Sequence, residues 1–348
     1  MKRPLVSVLI DTYNHESFIA DAIDSALAQD FPAGDMEILV VDDGSTDRTA
    51  EIVRKFAPRV RLLQKPNGGQ ASAMNVGLAE TKGQLIAFLD GDDLWLPNKL
   101  SRVAAEFQSH PEAVMVYHQF SFWDSRSGRE WQAGWPMVSG DIAGDLRKLH
   151  AYGAAPTSSL AFRRAALDRI VPIPESLVFM ADAFLIATVI FLGPVSAVSE
   201  CLAKNRVHGE NLWFAETAKP DPKVLARRIH VREAAIVGVR EWMAKRVPTA
   251  GRPQVRYFLR RWRLIQENDE FELAPPGRWR KFKQLCRQAI NDKPVYSYSW
   301  LAYVWLHAFA YLLVGRHADR LKGLPSQVGR FKRRLRGRVA TGRAAELK

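Results

Sequence analysis

Hydrophobic and polar positions alternate between two rhythms over the first 120 residues. Val6 to Ile10 is a short apolar run of strand length, and Phe18, Ile19, Ala22, Ile23, Ala26 and Leu27 then recur at helical spacing. Glu37 to Val41 predicts a second strand. A helix follows with Thr46 or Asp47 as its cap and an apolar face of Ile52, Val53 and Phe56. Arg59 to Leu63 predicts a third strand, Gln70 to Thr81 a helix, and Gln84 to Leu89 a fourth strand. Pro97 suits the first turn of the next helix. Strands and helices joined by short links predict an α/β fold, a mostly parallel sheet flanked by helices. Ligands of such sheets sit at the carboxyl ends of the strands.

The rhythm is mixed between 113 and 215. Ala113 to Phe122, Ser158 to Phe162 and Val195 to Val207 read as extended, and Phe179 to Leu192 as helical. Beyond 216 the chain turns basic, Trp-rich and helical, broken by Pro248, Pro253, Pro275, Pro276 and Pro294. This predicts a first domain over 1–215, with halves 1–110 and 111–215. A helical extension over 216–322 and a basic tail over 323–348 would follow.

Composition supports a folded chain, since 47% of the 348 residues are hydrophobic and 25% charged. Two cysteines cannot build a disulfide framework or a Cys-based zinc site, which fits a reducing compartment. No secretory leader is visible at the start. The net charge of +13 is uneven: Lys and Arg against Asp and Glu give +19 over 221–348 and −6 over 1–220. A near-neutral body with a basic appendage points to a polyanionic partner.

Acidic residues gather where the predicted strands end. Asp11 follows the first strand, Asp42 and Asp43 the second, and Asp90, Asp92 and Asp93 the fourth. One such Asp is an ordinary turn residue. Three clusters at one sheet edge repel each other unless a cation or donors intervene. A hard cation with oxygen ligands, Mg²⁺ or Mn²⁺, matches them.

Four segments in order resemble the motifs of the family 2 inverting glycosyltransferases. They are Val6 to Asn14, Leu39 to Asp47, Asn67-Gly68-Gly69 with Ser72, Asn75 and Gly77, and Phe88 to Asp93. The resemblance implies a GT-A fold and a nucleotide-diphospho-sugar donor. It implies that Asp43, beside Asp42, bonds the nucleotide base, and that Asp11 and Thr12 line the base and ribose pocket. Asp11 stands where the family commonly has a small or apolar residue. Asn75 and Asp90 join the donor side. Asp92 would hold the metal, with Asp93 and His208 beside it. His208 lies in Asn205 to Asn211, which is similar to the family's closing motif.

Met180-Ala181-Asp182 matches the segment in which the family keeps its general base. Asp182 is retained there, and Ala181 replaces the usual acid. Thr157 and Ser158 would line the acceptor site. Arg163 and Arg164 are candidates for phosphate contact or plain strand-end arginines. Arg261-Trp262 lacks the Gln, three residues before the Arg, of processive synthases, so a single addition is expected.

Val295 to Val314 holds no Asp, Glu, Lys or Arg over 20 residues, yet its apolar side chains fall on one stripe. That pattern weighs toward a helix lying on a membrane or on the protein body rather than a span. The +9 of 316–348 would add attraction to anionic headgroups. No nucleic-acid module accompanies the charge. The expectation is a cytoplasmic enzyme, peripheral on the inner membrane face, with a lipid-linked or polysaccharide acceptor. The rival is a catalytically silent nucleotide-sugar or polyanion binder on the same fold.

Overall fold

The computed structural model describes residues 4–132, 134, 136–152, 155–208, 211, 222–248, 252–273, 283, 284 and 287. The predicted helix at 295–314 and the tail at 323–348 lie outside them. The chain divides into two compact units, Met1–Leu273 and Ala274–Lys348. The predicted break at 215 therefore falls within the first unit.

Nine strands form one sheet among the described residues: β1 (Val6–Thr12), β2 (Met36–Asp42), β3 (Arg61–Gln64), β4 (Leu85–Asp90), β5 (Leu94–Trp95), β6 (Met115–Asp124), β7 (Glu130–Gln132), β8 (Leu160–Arg163) and β9 (Val195–Val207). Their order is β3-β2-β1-β4-β8-β6-β9-β5, with β7 on β6. The first four strands are parallel, as the alternating rhythm predicts. β8 enters antiparallel between β4 and β6.

The helices are α1 (Ile19–Leu27), α2 (Thr49–Arg54), α3 (Gln70–Glu80), α4 (Lys99–Ser109), α5 (Leu146–Ala151), α6 (Arg164–Leu167), α7 (Ala181–Val189), α8 (Pro222–Arg246) and α9 (Arg252–Leu273). α4 starts two residues after Pro97 and not at it. α2 starts at Thr49, whose N–H is capped by Asp47 Oδ1 at 2.9 Å. Val8, Ile10, Ile23, Val40, Leu89 and Val103 are fully or almost fully buried between sheet and helices. Each buried side chain of this size contributes about 1.5–3 kcal/mol, enough in sum to fix the strand ends that carry the site. Among the described residues no helix is long and apolar enough to cross a membrane.

Candidate active site

Parallel pairing brings the strand ends to one edge. Asp11 lies opposite Asp90, and Thr12 opposite Asp42, in the register of β1 with its two neighbours. Asp42 and Asp43 form one group, Asp90 to Asp93 another, and Asp11 stands between them.

The first group is saturated with donors. Asp42 accepts from Ser45 N at 2.9 Å and Gln64 Nε2 at 3.1 Å. Asp43 is 4% exposed and accepts from Lys65 Nζ at 2.6 Å, Gly68 N at 3.0 Å and Gly69 N at 2.7 Å. The carboxylate thereby gathers the loop before α3. Gly69 has φ +85°, and a Cβ there would lie 2.5 Å from Val178 Cα, so only glycine fits. The next two amides, Gln70 N and Ala71 N, donate to Val178 O and Leu177 O. The loop is thus bonded to Asp43 on one side and to the segment before α7 on the other. Asn75 spends its amide on Ile173, with both bonds 2.8 Å long.

The second group is crowded. Asp90, Asp92 and Asp93 each offer an oxygen within 4.8 Å of the others. Asp93 is internally satisfied: it accepts from Ser158 Oγ at 2.6 Å, Asn205 Nδ2 at 2.9 Å and Arg206 N at 2.8 Å. Burial and the Asp92 charge still push its carboxyl up to about 7. Asp92 lies 3.0 Å from His208 Nε2. Burial raises Asp92, but His15 and His208 outweigh it and hold it below the usual carboxylate range. Asp90 is pushed well above that range by burial, then by Asp11, Asp93 and Asp92. Asp11 is raised to about 8, first by burial and then by Asp92, and its buried Oδ1 has no hydrogen-bond partner. An orphaned carboxylate oxygen beside clustered carboxylates is a donor set that a hard divalent cation fits.

Arg206 lies in the Asn205 to Asn211 segment, whose one sequence candidate is His208. Arg206 is buried, donates from Nε to Asp92 O at 2.8 Å, and reaches Asp21 at 2.8 Å. Its guanidinium lies over Phe18 and Trp123. Phe18 also packs on the His208 ring, with centroids 4.4 Å apart. Lys65 and Gln70 were missed as well. Their partners are remote in sequence, so no local spacing announces them.

Asp182 opens α7, and its Oδ1 accepts from Ala183 N at 2.7 Å. Burial raises it to about 6. The amide before it, Ala181 N, is tied through Gln70 to Asp90, which brings Asp182 to the same acidic edge. Thr157 stands beside that edge, facing Gln70 Nε2 at 3.4 Å. Ser158 is buried and committed, donating to Asp93 and accepting from Asp90 N at 3.0 Å. Thr12 is buried, with Oγ1 3.2 Å from His15 Nδ1.

Arg163 and Arg164 lie elsewhere. Arg163 pairs with Leu85 at the start of β4, the far edge of the sheet. Its guanidinium donates to Ala113 O and Phe107 O, and that of Arg164 to Gly83 O. A phosphate role is therefore replaced by a structural one.

Comparison with known proteins places this geometry. Residues 7–170 match the model of Glycosyl transferase family 2. An uncharacterized glycosyltransferase of Nostoc sp. is 37% identical over 214 residues, 59% of this chain and 66% of that protein. The chondroitin synthase of Pasteurella multocida is 41% identical over 117 residues, 33% of this chain and 12% of that protein. The chain spans less than two thirds of the length of these relatives. Among solved structures, S. aureus TarS 1-349 in complex with UDP-GlcNAc aligns with TM-score 0.61 and 21% identity, over 92% of each chain. The mannosyltransferase PcManGT from Pyrobaculum calidifontis, in complex with GDP-Man and Mn²⁺, aligns with TM-score 0.50 and 20% identity, over 90% and 82%. The shared architecture is the GT-A fold.

Proposed function

This chain is a member of glycosyl transferase family 2, and we propose that it moves one sugar, with inversion, from a nucleotide-diphosphate donor to a hydroxyl of a lipid-linked or polysaccharide acceptor. The observation that carries this reading is the gathering of Asp11, Asp90 and Asp92 at one sheet edge, to which Gln70 ties the start of α7 and so Asp182. A base and a charge-binding cluster thus share one edge of the sheet. Solved neighbours of the same fold that bind UDP-GlcNAc, or GDP-Man with Mn²⁺, support a nucleotide-sugar donor.

The residues divide the work. Asp182 accepts the proton of the attacking hydroxyl as that oxygen bonds the anomeric carbon and the bond to the diphosphate breaks. Its carboxyl at about 6 is ionised at neutral pH yet close to it, which suits a base. Asp43 shapes the nucleotide-base side through the loop it gathers at the end of β2. Asp92 and Asp90 would hold Mg²⁺ or Mn²⁺, with Asp93 bracing the turn and His208 orienting Asp92. The cation, when bound, supplies Lewis-acid stabilisation of the departing diphosphate. Residues 295–348 bring the enzyme to an anionic membrane surface, through the apolar stripe and the basic tail.

The test is a panel of UDP-, GDP- and dTDP-sugars with Mn²⁺ and the full chain, read as nucleoside diphosphate release. Saturable release that EDTA abolishes is expected. Saturable binding with no release or transfer would establish the silent binder instead. Sedimentation with phosphatidylserine vesicles at low salt checks the membrane part, and a chain that stays in the supernatant refutes it.

A further inference from the structure

We propose that Gln70 is a positioning residue whose side-chain amide couples the donor side of the site to the first turn of α7, and so fixes Asp182 relative to Asp90. This rests on Asp182 being the base.

Gln70 is the first residue of α3, and its side chain spans three elements. Oε1 accepts from Ala181 N at 3.1 Å. Nε2 faces Asp90 Oδ1 at 3.3 Å and Thr157 Oγ1 at 3.4 Å. The orientation of the amide is forced. A backbone N–H can only donate, so the oxygen must point to Ala181 and the nitrogen to Asp90.

Ala181 N is one of the first N–H groups of α7, which have no partner inside their own helix. No side chain of α7's own flank caps it, and the chain enters through Met180 at φ +68°. Gln70, 111 residues earlier, serves in place of a cap. The backbone reinforces the link, since Gln70 N donates to Val178 O at 2.9 Å. The residue after Ala181 is Asp182, so the same bond sets where that carboxylate stands.

Glutamine is the side chain this geometry asks for. It offers a donor to a carboxylate and an acceptor to an amide at opposite ends of one planar group. Glutamate would keep the acceptor but set another carboxylate against Asp90. Leucine would leave both partners unmet. A misplacement of about 1 Å in a reacting group costs on the order of 10²-fold in rate.

The experiment uses the full chain, Mn²⁺ and the nucleotide-sugar panel. Gln70→Leu and Gln70→Glu are each measured alone and combined with Asp182→Glu. Hydrogen exchange is followed in peptides covering 177–189 and, as reference, β1. Gln70→Leu is expected to lower kcat by about 10–100-fold, with donor KM within about threefold. In the Asp182→Glu background, where the base is already displaced, the further loss should be under about threefold. Exchange should rise across the start of α7 and stay unchanged in β1.

Equal further loss in both backgrounds, with faster exchange throughout the sheet, would mean a merely structural residue and overturn the proposal. Unchanged kcat in Gln70→Leu would do the same. If the leucine variant does not fold, Gln70→Glu carries the test by the opposite pattern: it keeps the acceptor for Ala181 N and repels Asp90, so kcat should fall with exchange at the start of α7 unchanged, and an unchanged kcat overturns the proposal. Full turnover in Asp182→Asn with Gln70 intact is a separate result, which sinks the base assignment itself.

Discussion

The two edges of the β1–β2–β4 sheet are made from the same strands and treat polar groups in opposite ways. At the edge where the strands begin, Ser7 donates to Glu37, Gly83 N donates to Ser7, and Arg164 donates to Gly83 O and Thr81. Arg163 is closed onto backbone carbonyls in the same manner. At the edge where the strands end, Asp11 keeps a buried oxygen without a partner, and Asp11, Asp90 and Asp182 are all raised by burial. One edge is finished by the chain itself. The other meets Asp42, Asp43 and Asp93 but leaves Asp11 with an unmet oxygen beside the crowded Asp90, a state proteins tolerate where a ligand completes it.

The comparison breaks first if the unfinished edge proves dispensable. Asp92→Ala should give the largest effect. Cation stabilisation of a leaving oxygen is worth several kcal/mol, or about 10³-fold in kcat/KM. Donor affinity should fall with it, by titration of nucleoside diphosphate and Mn²⁺. Retained Mn²⁺-dependent turnover in this variant would remove Asp92 from the site.

Asp182→Asn comes next, at about 10²–10³-fold in kcat, the lower part of the range for a positioned base. It should spare donor binding, which separates it from Asp92→Ala. An equal loss of donor affinity in both variants would show that Asp182 belongs to the donor side.

The pH profile gives a smaller effect with a definite sign. Asp182 must be ionised to accept a proton, and its carboxyl is raised to about 6. The rate should therefore hold above pH 6 and fall about tenfold per unit below it. A rate still flat at pH 5 would exclude a base with this carboxyl.

The finished edge was largely legible in the sequence as fold, and the unfinished edge as chemistry. Apolar runs located β1, β2, β4 and β9 to within a few residues, because period and length are local properties. The Asp groups at strand ends were legible because parallel strands carry their ligand side at one end. What local pattern could not reveal was partnership. β8 inserts antiparallel between β4 and β6, a pairing set by packing. Ser158 and Asn75 look like binding polar residues in a motif, yet Ser158 holds Asp93 and Asn75 holds Ile173. Gln70 and Lys65 carry no motif signal, and Arg206 only its place in Asn205 to Asn211, since each acts on residues that meet it only after folding.

Arg163 supplies the last and smallest test, because it lies on the finished edge. Its guanidinium donates to Ala113 O and Phe107 O, both at 2.8 Å, and lies 4.9 Å from the Phe107 ring centroid. Arg163→Met keeps much of the stem and removes those donors, so two carbonyls lose their partner. Unmet buried carbonyls cost about 1–3 kcal/mol. Chemical denaturation should register that loss as a lower midpoint with unchanged slope. Turnover below the transition should stay within about twofold, since the residue stands at the opposite end of β4 from Asp90. A variant of normal stability that loses activity would reverse the assignment, returning Arg163 to the phosphate contact for which the sequence makes it a candidate.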